Sequence, residues 1–381
     1  MVKRRFWINK VEKAWKKKSV LWLSGVRRVG KTFLCQSLSD IEYFDCELPR
    51  VRRLMDDPQG FLEDLKGRRI VLDEIHRLSN PSELLKIAAD HYPGTRVLAT
   101  GSSTLGASAK FRDTLTGRKE ELWLTPMIGE DLVDFKKEDL KHRLLFGGLP
   151  PYFLSGTWPE GDYQEWVEAF WARDIQELFR LERRSSFLKF VELLSVQSGG
   201  IFEASRFAAP CEVSRTSISN YLTVLEATFA VSVIRPFSTR KANEIVSAPR
   251  VYGFDTGFSC FFRGWHELRR EDLGRLWEQY VLNEMQAHLQ TRKINYWRSK
   301  QGHEVDFILV RQGKPQVAIE CKWSADDFET RNLKAFRRRY PGGRNLVTAA
   351  DVDRSFTRSF DYLEVKFVSL AGLIRELMVK K

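Results

Sequence analysis

The chain has 381 residues, and its 62 lysines and arginines outnumber 50 aspartates and glutamates, leaving a formal charge of +12. That length suits two or three domains, and 43% hydrophobic content excludes a disordered or collagen-like chain. No run of about 18 apolar residues occurs, so no membrane span or membrane partner is expected.

The positive surplus favours polyanions such as nucleic acid through counterion release, although a merely basic surface would carry the same charge. Cys35, Cys46, Cys211, Cys260 and Cys321 are scattered, without a CxxC pair or zinc spacing. They read as buried apolar residues of a reducing, cytoplasmic protein. The basic N-terminus lacks the long apolar core of a secretion signal.

Residues 3–18 set Phe6, Trp7, Val11 and Trp15 at helical spacing among Lys3, Arg4, Arg5, Lys10, Lys13, Lys16, Lys17 and Lys18. This pattern predicts an amphipathic helix packed on the next domain with its basic face in solvent; a nucleic-acid contact is the alternative. From Val20 onward, short apolar runs alternate with helical stretches. Val20–Leu23, Ile41–Asp45, Ile70–Leu72 and Val97–Thr100 read as strands, and Phe33–Leu38, Phe61–Leu65 and Ser82–Ala89 as helices. Apolar strands alternating with helices predict a parallel sheet covered on both faces. Gly147-Gly148-Leu149-Pro150-Pro151 breaks the pattern.

A helical stretch is expected over Tyr163–Val196. Phe202–Ala208, a break at Pro210, Ser214–Thr228 and an Ala230–Phe237 strand then resemble a winged helix. Arg215, Ser217, Ser219 and Asn220 open its second helix, where groove contacts arise. A winged helix that only joins domains or subunits would look the same. Further on, Leu273–Leu289 and Phe328–Arg339 read as helices. Ile294–Arg298, Glu304–Arg311, Gln316–Lys322, Leu346–Ala349 and Leu363–Val368 read as strands.

The segment Gly25-Val26-Arg27-Arg28-Val29-Gly30-Lys31-Thr32 fits G-x-x-x-x-G-K-[ST] at every fixed position, between a buried strand and a helix opened by Phe33. The glycines let backbone N–H groups turn inward and cradle phosphates. Residues Gly25 to Phe33 are therefore expected to bind ATP, with Lys31 on the β- and γ-phosphates and Thr32 on Mg²⁺. Arg69-Ile70-Val71-Leu72-Asp73-Glu74 delivers two acids at a strand end. Asp73 is placed for the Mg²⁺ shell and Glu74 to orient or deprotonate the attacking water. Val97–Thr100 leads into Gly101-Ser102-Ser103, and Ser102 is the residue expected beside the γ-phosphate.

These three parts, in this order, resemble the AAA-type ATPases. The resemblance implies a homo-oligomer in which one copy's arginine reaches its neighbour's γ-phosphate. Arg118 in Leu115-Thr116-Gly117-Arg118 matches that position, with Arg112 as second choice.

In Glu304-Val305-Asp306-Phe307-Ile308-Leu309, period two sends Asp306 away from Val305, Phe307 and Leu309. In Val317-Ala318-Ile319-Glu320-Cys321-Lys322, Glu320 and Lys322 share one face. An Asp facing a Glu and a Lys suits Mg²⁺ with a polarising lysine. Glu278, beside the stripe of Val281, Leu282 and Met285, needs a partner. Asp, thirteen residues, then Glu-x-Lys, with a helical Glu before them, resembles the PD-(D/E)XK nuclease core. That resemblance implies catalytic Asp306, Glu320 and Lys322, with Glu278, Asp306 and Glu320 as metal ligands. Its proline-aspartate pair is absent, since Val305 precedes Asp306. Surface acids on solvent-facing strands remain the other reading.

Further stretches are Gly147-Gly148-Leu149-Pro150, Arg173-Asp174-Ile175, Pro249-Arg250-Val251-Tyr252, Asp255-Thr256-Gly257 and Trp277-Glu278. With them, the chain resembles prokaryotic AAA-type ATPases that carry the C-terminal domain of unknown function 4143. The expected fold is α/β. Residues 1–150 form an AAA-type parallel sheet with a basic N-terminal helix. Residues 151–265 form a helical linker and winged helix, and 266–381 a restriction-endonuclease-like domain. The expected function is a Mg²⁺-dependent ATPase that binds nucleic acid, DNA first, with ATP-gated cleavage or remodelling. A non-cutting ATPase switch or a DNA-binding regulator is the alternative.

Overall fold

The computed structural model describes residues 2–101, 109–176, 179, 181, 183–239 and 248–378; Ser102 and Ser103 lie outside the described residues. The chain divides into two compact units. The first takes residues 1–139, 148–184 and 227–230, the second 140–147, 185–226 and 231–381.

The first unit is built on five parallel strands: β1 (Val20–Ser24), β2 (Glu42–Asp45), β3 (Arg69–Asp73), β4 (Arg96–Thr100) and β5 (Lys119–Trp123), in the order β2-β3-β4-β1-β5. The central strands β1, β3 and β4 are almost wholly buried, because helices cover both faces. Trp22, Leu72, Val97 and Ala99 pack with Leu84 and Leu85 of helix α3 (Pro81–His91) and Phe111 of α4 (Ala109–Leu115). The edge strand β5 has the sequence Lys-Glu-Glu-Leu-Trp, and only Leu122 is buried. Its polar composition is that of an edge, which is why sequence periodicity passed over it.

Helix α1 (Arg5–Trp15) buries Trp7, Val11, Ala14 and Trp15 on this unit, and Lys13, Lys16, Lys17 and Lys18 face solvent. Arg4 departs from that basic face. It is buried, its Nε and Nη2 donate to the two Asp131 carboxylate oxygens at 2.9 and 2.6 Å, and its Nη1 donates to the Val29 carbonyl at 2.9 Å. Asp131, in α5 (Gly129–Asp134), also accepts from Trp7 Nε1 at 3.2 Å and from the Ile128 N–H at 3.0 Å. A fully buried carboxylate is tolerated because it accepts four hydrogen bonds, one on Oδ1 and three on Oδ2. The expected continuous helix over 163–196 is interrupted: an α-helical stretch Glu160–Ala169 passes into a π-helical one, Phe170–Gln176.

The second unit opens with a short helix, Leu140–Phe146, and resumes with helix α6 (Arg184–Val196). After it come β6 (Gly200–Ile201), α7 (Ala204–Ala208), α8 (Arg215–Ala227), β7 (Val231–Pro236) and β8 (Arg250–Gly253). Helices α9 (Thr256–Arg263) and α10 (Arg270–Leu289) follow. The chain ends through β9 (Asn295–Arg298), β10 (Glu304–Leu309), β11 (Val317–Lys322), α11 (Arg331–Arg339), β12 (Arg344–Ala349), β13 (Phe356–Phe360), β14 (Leu363–Val368) and α12 (Leu370–Met378). All nine strands join one sheet, ordered β13-β14-β12-β11-β10-β9-β7-β8-β6. The seam is the parallel pairing of Arg235 with Asn295 and Pro236 with Tyr296. It makes one structural unit of the two segments that the sequence divides near residue 265. In the Asp255-Thr256-Gly257 stretch, Asp255 caps α9 by accepting from the Gly257 N–H at 2.9 Å, with buried Arg143 at 3.7 Å.

Removing one partner of the Arg4–Asp131 pair strands the other charge, at a cost of ~3–5 kcal/mol. Asp131→Ala should lower the first unit's unfolding free energy, measured in urea, by that amount. It should also weaken nucleotide binding, because Arg4 braces Val29; unchanged unfolding would contradict this role.

Candidate nucleotide site and acid centre

Strand β1 stops at Ser24, and a glycine loop leads into helix α2 (Lys31–Gln36). Gly25 sits at φ 143° and Gly30 at φ 98°. A β-carbon on Gly25 would overlap the Leu124 carbonyl oxygen, so this position needs glycine for space as well as for φ. Three of the residues between are tied outward. Arg27 Nε donates to Asp174 Oδ2 at 3.0 Å, and its carbonyl accepts from Trp166 Nε1 at 3.1 Å. Arg28 donates to Tyr152 Oη at 3.3 Å and pairs with Glu165. Val29 is held by Arg4. The π-helical stretch carries Asp174 to Arg27, as such stretches commonly do at functional sites.

Inside the loop, Lys31 Nζ donates to the carbonyls of Gly25 at 2.9 Å and Val26 at 3.1 Å. Burial lowers its pKa, against the opposing charges of Glu74, Asp174 and Asp73. The loop opens onto a cavity of about 620 Å³ whose polar lining includes Gly25, Gly30, Lys31, Thr32 and Glu74. Its apolar lining includes Phe33, Phe135, Pro150, Pro151 and Leu154; Phe33 and Leu154 are more than half exposed. A destabilised ammonium beside a glycine loop, with a roomy and partly apolar cavity, fits a nucleoside triphosphate.

Asp73 and Glu74 end β3. Asp73 is buried, and its Oδ2 accepts from Tyr43 Oη at 2.6 Å. Its Oδ1 accepts from the Thr100 hydroxyl, and that same hydroxyl oxygen accepts the Glu74 N–H at 3.1 Å. Thr100 therefore pins both acids. The strand-end hydroxyls pointed to this turn; Ser102, expected beside the γ-phosphate, lies outside the described residues. Glu74 adopts a left-handed conformation, φ 54°, uncommon outside glycine and frequent at functional sites. Burial would raise its pKa, but His76 Nδ1 at 3.1 Å and the Lys31 charge outweigh burial and hold it below the usual glutamate range. Glu74 is thus ionised at neutral pH. Arg118 donates to both oxygens of Asp90, at 2.8 and 3.0 Å, and does not line the cavity.

In the second unit the structure brings Glu278, Asp306, Glu320 and Lys322 together. Phe307 pairs with Ile319, so the same antiparallel register sets Asp306 opposite Glu320. Lys322 Nζ lies 2.8 Å from Glu320 Oε2 and 3.9 Å from Asp306 Oδ2. Asp306 Oδ2 also accepts the Cys321 N–H at 2.8 Å. Tyr252 donates to Glu278 at 2.5 Å. Burial and the Asp306 charge raise the pKa values of both Glu278 and Glu320. Glu320 Oε1 is buried with no hydrogen-bond partner among the described residues, which suits a protonated carboxyl. Within this unit, among its described residues, no three acid, His or Cys ligand atoms converge closely enough to share an ion. As placed, Asp306 and Glu320 share Lys322 as their cation, and no third acid joins them at ion-sharing distance among the described residues.

Three family models match in succession: an AAA domain over residues 17–132, a domain of unknown function (DUF8612) over 137–269, and a domain of unknown function (DUF4143) over 273–368. The first unit therefore carries an AAA-type P-loop domain. The chain is 26% identical over 349 residues to the uncharacterized proteins Rv2008c of Mycobacterium tuberculosis and Mb2031c of Mycobacterium bovis, covering 88% of this chain and 77% of each relative. Among solved structures it is similar to the Walker-type ATPase PABY2304 of Pyrococcus abyssi, with TM-score 0.44 and 15% identity over 69% of this chain and 96% of that one. It is also similar to the Bacillus subtilis DNA clamp loader delta protein, with TM-score 0.26 and 13% identity over 72% and 99%.

In the AAA domain, Thr100→Val should keep the strand but release one Asp73 oxygen and the Glu74 backbone N–H. ATP hydrolysis should fall roughly 10- to 100-fold with ATP affinity changed only a few-fold, as expected for loss of ~1–3 kcal/mol of polar positioning. Equal turnover in steady-state kinetics would show that Thr100 does not position Asp73 and Glu74.

Proposed function

We propose that the chain is a Mg²⁺-dependent ATPase whose nucleotide state governs its grip on nucleic acid, with DNA the expected partner. The observation that carries this reading is Lys31, a partly buried ammonium held, among the described residues, by two loop carbonyls at the mouth of a nucleotide-sized cavity. Thr32 would ligate Mg²⁺ and Asp73 would hold it through water; a bound Mg²⁺ supplies charge neutralisation at the phosphoryl oxygens. The remaining work belongs to the chain. The loop N–H groups wrap the phosphates, and Lys31 exchanges carbonyl partners for phosphate oxygens. Glu74, already ionised, accepts the attacking water's proton. Phe33, Phe135 and Leu154 cover the apolar part of the nucleotide. In an oligomer, Arg118 would leave Asp90 to reach a neighbour's γ-phosphate; surface pairs of this kind cost little to break.

For the second unit, the order α6-β6-α7-α8-β7-β8 with antiparallel β6, β7 and β8 supports a winged helix. Arg215, Ser219 and Asn220 are exposed at the start of α8, whereas Ile218, Tyr221 and Val224 are buried, so one face is left for a groove. The order α10-β9-β10-β11-α11-β12 supports a restriction-endonuclease-like core. We favour the non-cutting reading over the expected phosphodiester cleavage, because Lys322 already partners Asp306 and Glu320 and no third acid joins them at ion-sharing distance among the described residues.

Glu74→Gln should bind ATP like the parent, hydrolyse it at least ~100-fold more slowly, and hold duplex DNA with the affinity of the ATP state. Parental turnover in this variant, or one DNA affinity in ATP, in ADP and without nucleotide, would refute the reading.

A further inference from the structure

One cation of the acid centre has no counterpart in the Asp, Glu-x-Lys pattern. Arg250 enters from β8 with a side chain only 12% exposed. Its Nη1 donates to Glu278 Oε1 at 3.0 Å and to Tyr252 Oη at 3.2 Å, and stands 3.8 Å from Asp306 Oδ1. Nη2 reaches Glu304 Oε2 at 3.4 Å. The guanidinium lies over the Tyr296 ring, 5.5 Å from its centroid. Lys322 is the second cation, on Glu320 and Asp306. Two cations thus touch all four acids, and Arg250 alone touches three.

A divalent ion bridging Glu278 and Asp306 would need their oxygens at about 2.0–2.6 Å, inside the space that the guanidinium already shares with both. A guanidinium does not release its proton; here Nη1 and Nη2 are held by Glu278 and Glu304 and the plane lies over the Tyr296 ring, while Nε is buried without a hydrogen-bond partner among the described residues. A second cation would meet it at short range in a poorly solvated site.

We infer that Arg250 is the resident cation of this centre and that the acid set is assembled without a divalent ion. The centre is then an electrostatic joint. It fastens β8, through Arg250 and Tyr252, to Glu278 of α10 and to Glu304 and Asp306 of β10. This inference concerns the second unit alone and stands independently of the nucleotide reading.

The test is Mn²⁺ uptake by the full chain without nucleotide, followed by electron paramagnetic resonance. Wild type and Asp306→Asn should take up Mn²⁺ identically, because the acid set contributes nothing, and any uptake elsewhere cancels. Arg250→Met should bind at least about tenfold more tightly, and Arg250→Met with Asp306→Asn should lose that gain. Should circular dichroism show Arg250→Met unfolded, the comparison of wild type with Asp306→Asn decides alone. Wild-type uptake that Asp306→Asn removes overturns the inference, as does a folded Arg250→Met that gains no Mn²⁺.

Discussion

A lysine ammonium placed where water reaches it poorly must either find acceptors or give up its proton, and Lys31 is in that position. Its acceptors are two carbonyls of the loop it closes. The loop can offer them only because Gly25 and Gly30 adopt positive φ and because no side chain fits beneath Leu124 at Gly25. Such a turn would be floppy in isolation. Here its three middle residues are tied outward to Asp174 and Trp166, to Tyr152 and Glu165, and to Arg4. The residues that the motif leaves unspecified are among the ones that fix it, through the Arg27 and Arg28 side chains and the Arg27 and Val29 carbonyls, so that its inner surface is preorganised for an anion.

The same economy explains the acids opposite. Asp73 and Glu74 leave a buried strand at its C-terminal end, where parallel sheets present ligand sites. Their orientation comes from a neighbouring strand, through one threonine hydroxyl that donates to Asp73 and accepts from Glu74. In the second unit the problem is reversed: acids gathered on β10, β11 and α10 need cations. Lys322 and Arg250 provide them, and Arg250 arrives from the part of the sheet that the Arg235–Asn295 pairing joins to the rest.

The parallel strands of the first unit and the helix and strands of the C-terminal segment were legible in the sequence, because burial on both faces writes long apolar runs. The glycine loop was legible because φ and close approach restrict residue choice. Edge strands β5 and β13 were not, since Lys119, Glu120 and Arg358 carry little of that constraint. Arg4 was hidden in a basic run that reads as solvent-facing, and only its tertiary partner Asp131 distinguishes it. Tyr43 and Arg250 escaped for a related reason: each lies far in sequence from the acid it serves, and local spacing holds no record of such pairings. Thr100 was two residues from the position the strand-end pattern suggested.

The account stands on the exchange of carbonyl for phosphate oxygens at Lys31. Calorimetric titration of the folded protein with Mg²⁺–ATP, in buffers of different ionisation enthalpy, reads that exchange directly. Burial lowers the Lys31 pKa in the free protein and phosphate would raise it. Between those two values the ammonium is partly deprotonated before binding and protonated after, so alkaline titrations should show proton uptake that fades as pH falls. Lys31→Ala should lose both the uptake and most of the affinity. No saturable binding, or binding that Lys31→Ala leaves intact, would contradict the account.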